Sequence, residues 1–182
     1  MNEAVKVEKL GVIDFTLDIK PVSGGRPHIN KNGGVYMPKA YTEFKNSIED
    51  IMLQDIGILR VNHYRNKVKK ANLFMVVIEC GYAVKNERFH NTMKRTRPDI
   101  DNVQKPIFDQ ILGRLGIEDA EIGEVTCRKM YADHDYITVH VSLLKTDEYK
   151  GYNRKTSAEK EKARYKRLDA EIDEKLKARG II

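Results

Sequence analysis

Two aspartates stand two residues apart in the run Arg97-Pro98-Asp99-Ile100-Asp101-Asn102-Val103-Gln104-Lys105-Pro106, and a lysine follows four residues after the second. A further acidic cluster, Glu118-Asp119-Ala120-Glu121, comes a little later. Carboxylates this concentrated in a basic chain suit a hard divalent cation held beside a phosphate backbone. Mg2+ takes oxygen ligands, keeps several waters and often uses only one or two carboxylates plus a substrate phosphate. Such an ion polarises a phosphoryl oxygen and makes bound water nucleophilic near neutral pH. Lys105 carries a charge suited to a scissile phosphate or to the charge that develops in the transition state. Lys94, Arg95 and Arg97 stand just upstream, where they could hold a nucleic-acid backbone.

An extended segment over 98–101 would project Asp99 and Asp101 from one face and turn Ile100 into the core. A helix and turn over 102–116 would then return Asp119 to the start of that helix, so that the three acids converge on one ion. Each piece also has a plainer reading. Asp101 could cap a helix, Glu118-Asp119 could be turn chemistry after Gly116, and Lys105 could be an ordinary exposed lysine. The histidines His28, His63, His90, His134 and His140 are scattered without metal-binding spacing.

The elements that must position these groups follow from hydrophobic patterning. Ile13, Phe15, Leu17 and Ile19 alternate with polar residues, which predicts a half-buried strand over 12–19. Residues 21–37 read as a Gly/Pro/Asn-rich loop carrying Arg26, His28 and Lys31. A helix is predicted over 38–54, with Pro38 at its start and Tyr41, Phe44, Ile48, Ile51 and Met52 on one face. Residues 73–80 read as a buried strand, and 81–97 as a basic loop or pair of short strands. A helix over 102–115 should end at Gly116, with its first turn distorted, or its start delayed by a turn, by Pro106. Segments 122–132 and 136–144 suggest an antiparallel pair around His134-Asp135. The whole implies an α/β (α+β) domain over 1–146: a mixed, mostly antiparallel sheet with helices on one face.

Composition narrows the classes. The chain has 182 residues, 33% of them charged, with a net charge of +6. The excess favours an anionic partner, most simply nucleic acid. Cys80 and Cys127 lie in apolar, strand-like segments and form no C-x-x-C pair, which fits reduced, buried thiols. No apolar run approaches the ~20 residues of a membrane span, and the charged stretch Met1–Lys9 has no apolar signal core. A cytoplasmic protein without membrane contact or small-molecule cofactor is therefore expected. From 147 to 182 the composition shifts to a basic helical extension, in which Tyr165, Leu168, Ile172 and Leu176 form a thin apolar stripe. That helix could dock on a partner, lie against DNA or remain solvated.

The run from Arg97 to Asp109, followed by Glu118-Asp119, resembles the RusA-like Holliday junction resolvases, endonucleases of bacteria, phages and prophages. Their pattern is an Asp-x-Asp-Asn-x-x-Lys run, a helix with a following Asp, then an acidic pair opening the next strand. The resemblance spans 12–145 and is strongest over 97–121. It implies catalytic roles for Asp99, Asp101, Asp119 and Lys105, with the three aspartates as metal ligands for Mg2+, or Mn2+ in its place. It also implies a homodimer that binds four-way junction DNA during recombination and repair and nicks two strands symmetrically. Arg26, Lys31, Lys94, Arg95 and Arg97 would then track the DNA. Glu118 departs from the family's frequent Asp, the extension over 147–182 exceeds its compact pattern, and the loop Pro21–Asn32 matches only in character. Three rivals remain: a non-catalytic nucleic-acid-binding module, a metal-dependent nuclease for flaps or single strands, and a phage adaptor acting through the tail.

Overall fold

The computed structural model describes residues 6–24, 27–31 and 33–147. Arg26 and, apart from Asp147, the expected helical extension lie outside the described residues.

Strand β1 (Val7–Leu17) buries Ile13, Phe15 and Leu17, as its alternation requires. A two-residue hairpin, β2 (His28–Ile29) with β3 (Val35–Tyr36), interrupts the loop that follows. Helix α1 (Lys39–Asp55) starts after Pro38 and buries Tyr41, Phe44, Ile48 and Met52 along one stripe. Gly57 then turns the chain with a φ of 86° into α2 (Ile58–Val68), which buries Val61, Tyr64 and Val68. The sequence reading left α2 unassigned. Strands β4 (Leu73–Ala83), β5 (Ile122–Ala132) and β6 (Tyr136–Thr146) complete the sheet.

The strand order is β1-β6-β4-β5. This corrects the expected β5–β6 pair. β4 lies between them, antiparallel to β6 and parallel to β5. The reason is burial: Ile137, Val139, Val141 and Leu143 of β6 are all nearly inaccessible, so β6 needs strands on both sides and takes the middle of the sheet. β5 alternates between half-buried and exposed positions and takes the edge. Asp133 to Asp135 cross the end of β4, where Asp135 Oδ1 accepts the Ala83 N–H at 2.9 Å.

Register puts the apolar sets in line. Leu17 pairs with Ile137, Phe15 with Val139 and Ile13 with Val141; Cys80, Ile78 and Val76 flank the same β6 residues on the other side. The described helices bury their apolar stripes against this face. Each fully buried aliphatic side chain there contributes about 1.5–3 kcal/mol. The opposite face is polar: Thr16 and Thr138 share a hydroxyl hydrogen bond of 2.9 Å, Arg128 pairs with Glu79, and the Tyr136 hydroxyl donates to Glu79 at 2.6 Å. The fold is thus α+β with a mostly antiparallel sheet.

Because β4 and β5 are parallel, the chain between them must cross back along the sheet. It does so through one helical run: α3 (Ile100–Ile107), a π turn (Phe108–Leu112) and α4 (Gly113–Leu115), closed by left-handed Gly116. Two expectations fail here. The helix starts at Ile100, so Asp101 is helical and Ile100 is 42% exposed instead of turned inward. Pro106 neither delays nor breaks the start. A proline at this position leaves the carbonyl four residues back without its helical donor, and that carbonyl, on Asn102, instead accepts the Gly24 N–H at 2.6 Å. Gly24 can approach only because it lacks a side chain: a Cβ would stand 3.0 Å from Pro106 Cδ and 3.2 Å from Lys105 Cβ.

Gly24→Ala is therefore expected to destabilise the protein by about 1 kcal/mol, read as an earlier urea midpoint. An unchanged midpoint would mean that the loop does not seat on α3.

Candidate active site

The approach to the acidic run is built on β5. Asn91 N–H donates to Tyr131 O at 2.9 Å, Tyr131 N–H to Thr92 O at 2.9 Å, and Lys94 N–H to Lys129 O at 2.8 Å. Residues 91–94 thus lie against the outer edge of β5. Lys129 then reaches from the strand to Thr96 O at 2.9 Å and to Pro98 O. Its ammonium fixes two of the three carbonyls that precede Asp99. The sequence reading missed Lys129, although the signal was present: it shares a strand register with Cys127 and Tyr131, where a lysine needs fixed acceptors.

Asp99 is the residue before the helix, with extended backbone (φ −70°, ψ 152°), and its side chain makes no capping hydrogen bond. Asp101 stands in the first turn. A carboxylate before a helix ordinarily accepts one of the free N–H groups of the first turn. Here that role is not taken up, and both aspartates are exposed. Neither carboxylate has an ion-pair or hydrogen-bond partner among the described residues. Lys105 lies one turn beyond Asp101 and faces Asp109 at 3.8 Å, with the lysine side chain 68% exposed.

Two adjoining cavities open beside Asp99. The smaller, about 430 Å³, is lined by Ser23, Arg97, Pro98, Asp99 and Asn102. The larger, about 610 Å³, shares Ser23, Arg97 and Pro98 and extends to Lys20, Lys94, Tyr82, Tyr131 and Asp135. The Gly24–Asn102 bond brings Ser23 here. Lys94 Nζ lies 5.1 Å from the Tyr82 ring centre and 5.0 Å from that of Tyr131, and it also donates to Thr96 Oγ1. The Tyr131 hydroxyl and Thr96 Oγ1 are 3.1 Å apart. Burial raises the Tyr82 phenol above its ordinary range, so it stays protonated. Of the expected DNA-contacting residues, Lys94 and Arg97 line these cavities, Arg95 is exposed beside them, and Lys31 sits in the turn between β2 and β3. Lys20 was not foreseen.

Asp119 does not join this group. It opens a short 3-10 turn that leads into Ile122, which pairs with Phe74 near the start of β4. The cavities sit by Tyr82 and Ala83 at the end of β4. From position 74 to position 82 the strand covers about 26 Å, and the helical run from Ile100 to Leu115 covers a similar length, about 23 Å. Among the described residues no group of three or more His, Cys, Asp or Glu side chains gathers to hold a metal ion. Convergence of Asp99, Asp101 and Asp119 within one chain is therefore corrected. The pair Asp99 and Asp101, with free oxygens beside a basic cavity, still suits an ion that takes one or two carboxylates and completes its shell with water and phosphate.

The cysteines are free. Cys80 is buried on β4, and its thiol is pushed up by its hydrogen bond with Cys127 and by burial, which leaves it inert. Among the described residues no helix is long and apolar enough to cross a membrane.

A family model for endodeoxyribonuclease RusA matches residues 18–142, more than half of the chain, from the end of β1 into β6. No curated protein matches. With its acidic run, the helix that carries it and strands β4 and β5 all inside that match, the chain belongs to the RusA endodeoxyribonuclease family.

Proposed function

We propose that the protein resolves four-way DNA junctions by metal-dependent hydrolysis of two phosphodiester bonds, acting as a homodimer in recombination and repair. The observation that carries this is the pair of unused carboxylates, Asp99 and Asp101, two residues apart: Asp99 lines a cavity with Arg97, and that cavity adjoins a second one lined by Arg97 and Lys94. The family is one of endodeoxyribonucleases and acts on branched DNA. Carboxylates left unpaired next to cations suit a ligand that brings both positive and negative charge, as a cation-bound phosphate does.

Asp99 and Asp101 would hold Mg2+, or Mn2+ in its place, which when bound supplies a polarised phosphoryl oxygen and a water of lowered pKa. Arg97 and Lys94 would seat the phosphates flanking the scissile bond, and Arg95 and Lys31 would follow the backbone further out. Lys105 is within reach of a phosphate placed over the first turn of α3. Its exposed pairing with Asp109 is weak and easily exchanged. Asp119 stands at the far end of the helical run, so the Asp119 serving a given Asp99–Asp101 pair would come from a second copy. A two-fold dimer repeats each surface on both subunits and so presents two such sites, one per strand to be nicked.

Asp101→Asn is expected to abolish nicking of a synthetic mobile four-way junction in Mg2+ while leaving binding within about threefold. The wild type should give paired, ligatable nicks that vanish with chelator. Equal cutting by the variant would remove Asp101 from the chemistry. Junction binding without cutting in any divalent metal would favour the non-catalytic rival. Lys105→Gln is expected to slow single-turnover nicking about a hundredfold with little change in affinity; a pure affinity loss would make Lys105 a backbone contact only.

A further inference from the structure

The larger cavity is more than a channel for phosphates. Tyr82 lines it, is 7% exposed, and its hydroxyl is buried without a hydrogen-bond partner among the described residues. A buried hydroxyl left unpaired is costly, and native proteins rarely keep one without a use. Tyr82 cannot turn to the sheet for a partner, because its strand neighbours on the same face are Cys80 and Ile78, both fully buried. The rest of the lining is mixed in a particular way. It has the aromatic rings of Tyr82 and Tyr131, the cations Lys20, Lys94 and Arg97, and the single carboxylate of Asp135. A phosphate alone has no use for two aromatic rings or for a carboxylate. A nucleotide has a use for each: apolar contact for the ring edges left beside Lys94, a phosphate for the cations, and polar edge atoms for hydroxyl and carboxylate. Asp135 has used only Oδ1 on the Ala83 N–H in the contacts described, and a carboxylate can accept several hydrogen bonds. The volume, about 610 Å³, lies within the range of small-molecule pockets. It shares a wall with the Asp99 cavity, formed by Ser23, Arg97 and Pro98, so it adjoins a phosphate held at Asp99.

We infer that this cavity receives one unstacked deoxynucleotide of the junction, next to the scissile phosphate, and that the Tyr82 hydroxyl pairs with that base. The inference rests on the junction-cutting reading of the same site. Unstacking a nucleotide inside a duplex costs free energy, and it costs less where the strands exchange at a four-way junction and continuous stacking is interrupted. The pocket would therefore favour junctions over duplex without reading a long sequence.

The test measures binding in chelator, so it does not depend on cleavage. An abasic sugar is walked through the nucleotides flanking the crossover of a synthetic four-way junction, and affinities are compared for the wild type and Tyr82→Phe. The variant removes one buried oxygen that bonds to no described residue, so its thermal midpoint should equal or exceed that of the wild type. The wild type should lose on the order of tenfold at one position of the walk. Tyr82→Phe should lose about fivefold on the intact junction, and less than about threefold more at that position, because the two changes delete parts of one contact. A flat abasic profile on a tightly bound junction overturns this inference alone. So does an abasic loss that simply adds to that of Tyr82→Phe. Absence of junction binding altogether overturns the functional reading and this inference with it.

Discussion

The helical run from Ile100 to Leu115 carries the chain from the edge of β5 back to the start of that same strand, and its length decides where every acidic residue stands. A parallel β4–β5 pair demands a crossover. Pro106 in the middle of that crossover would ordinarily weaken it by opening the bond to Asn102. The open carbonyl instead recruits Gly24, so the defect becomes the anchor of the N-terminal loop. Ser23 and Lys20 reach the cavities by this route. One missing N–H in α3 thus ties together two stretches of chain that lie some eighty residues apart.

Charge at the candidate site is left largely without ion pairing among the described residues. Surface ion pairs contribute little to stability, and none of those among the described residues involves Asp99 or Asp101: Arg128 with Glu79 lies on the polar face of the sheet, and Lys105 with Asp109 further along the helical run. At the cavities the cations are held by neutral partners. Lys129 is bound by two carbonyls, and Lys94 by two tyrosine rings and a hydroxyl. Asp99, in a cavity wall with Arg97, and Asp101 are left to solvent. Leaving these exposed charges unpaired forgoes little stability, and it is the arrangement that the proposed cation-bound phosphate would require.

Much of the fold was legible in the residues. Strict alternation in β1 and β6, the stripe Tyr41, Phe44, Ile48 and Met52, and Gly116 as a helix stop each report local geometry with a period of two, a period of 3.6 or a positive φ. Pairing was less legible. Asp133-His134-Asp135 reads as a tight turn, and only the near-total burial of β6 shows that it needs a neighbour on both sides. Helix α2 was missed because Val61, Tyr64 and Val68 are thinly spread among polar residues. The start of α3 was misplaced because Pro106 was weighed as a local breaker, while its remedy, Gly24, lies far away in sequence. In the candidate site, the types and positions of Asp99, Asp101 and Lys105 were readable. The distance to Asp119 was not, because it depends on the direction in which the crossover runs. Lys129 and Tyr82 escaped notice for a related reason: their roles come from what stands beside their strand.

The central claim is that one catalytic centre draws Asp99 and Asp101 from one chain and Asp119 from its partner. Mixing two inactive proteins tests it directly. Asp101→Asn and Asp119→Asn are each purified, allowed to exchange subunits, and assayed on a four-way junction in Mg2+, with exchange verified by a tag on one of them. A shared centre leaves the mixed dimer with one intact site and one doubly impaired site, so single-strand nicking should return while paired nicking does not. Continued inactivity of a mixture shown to contain mixed dimers would contradict the account and place all three aspartates in the service of a single chain.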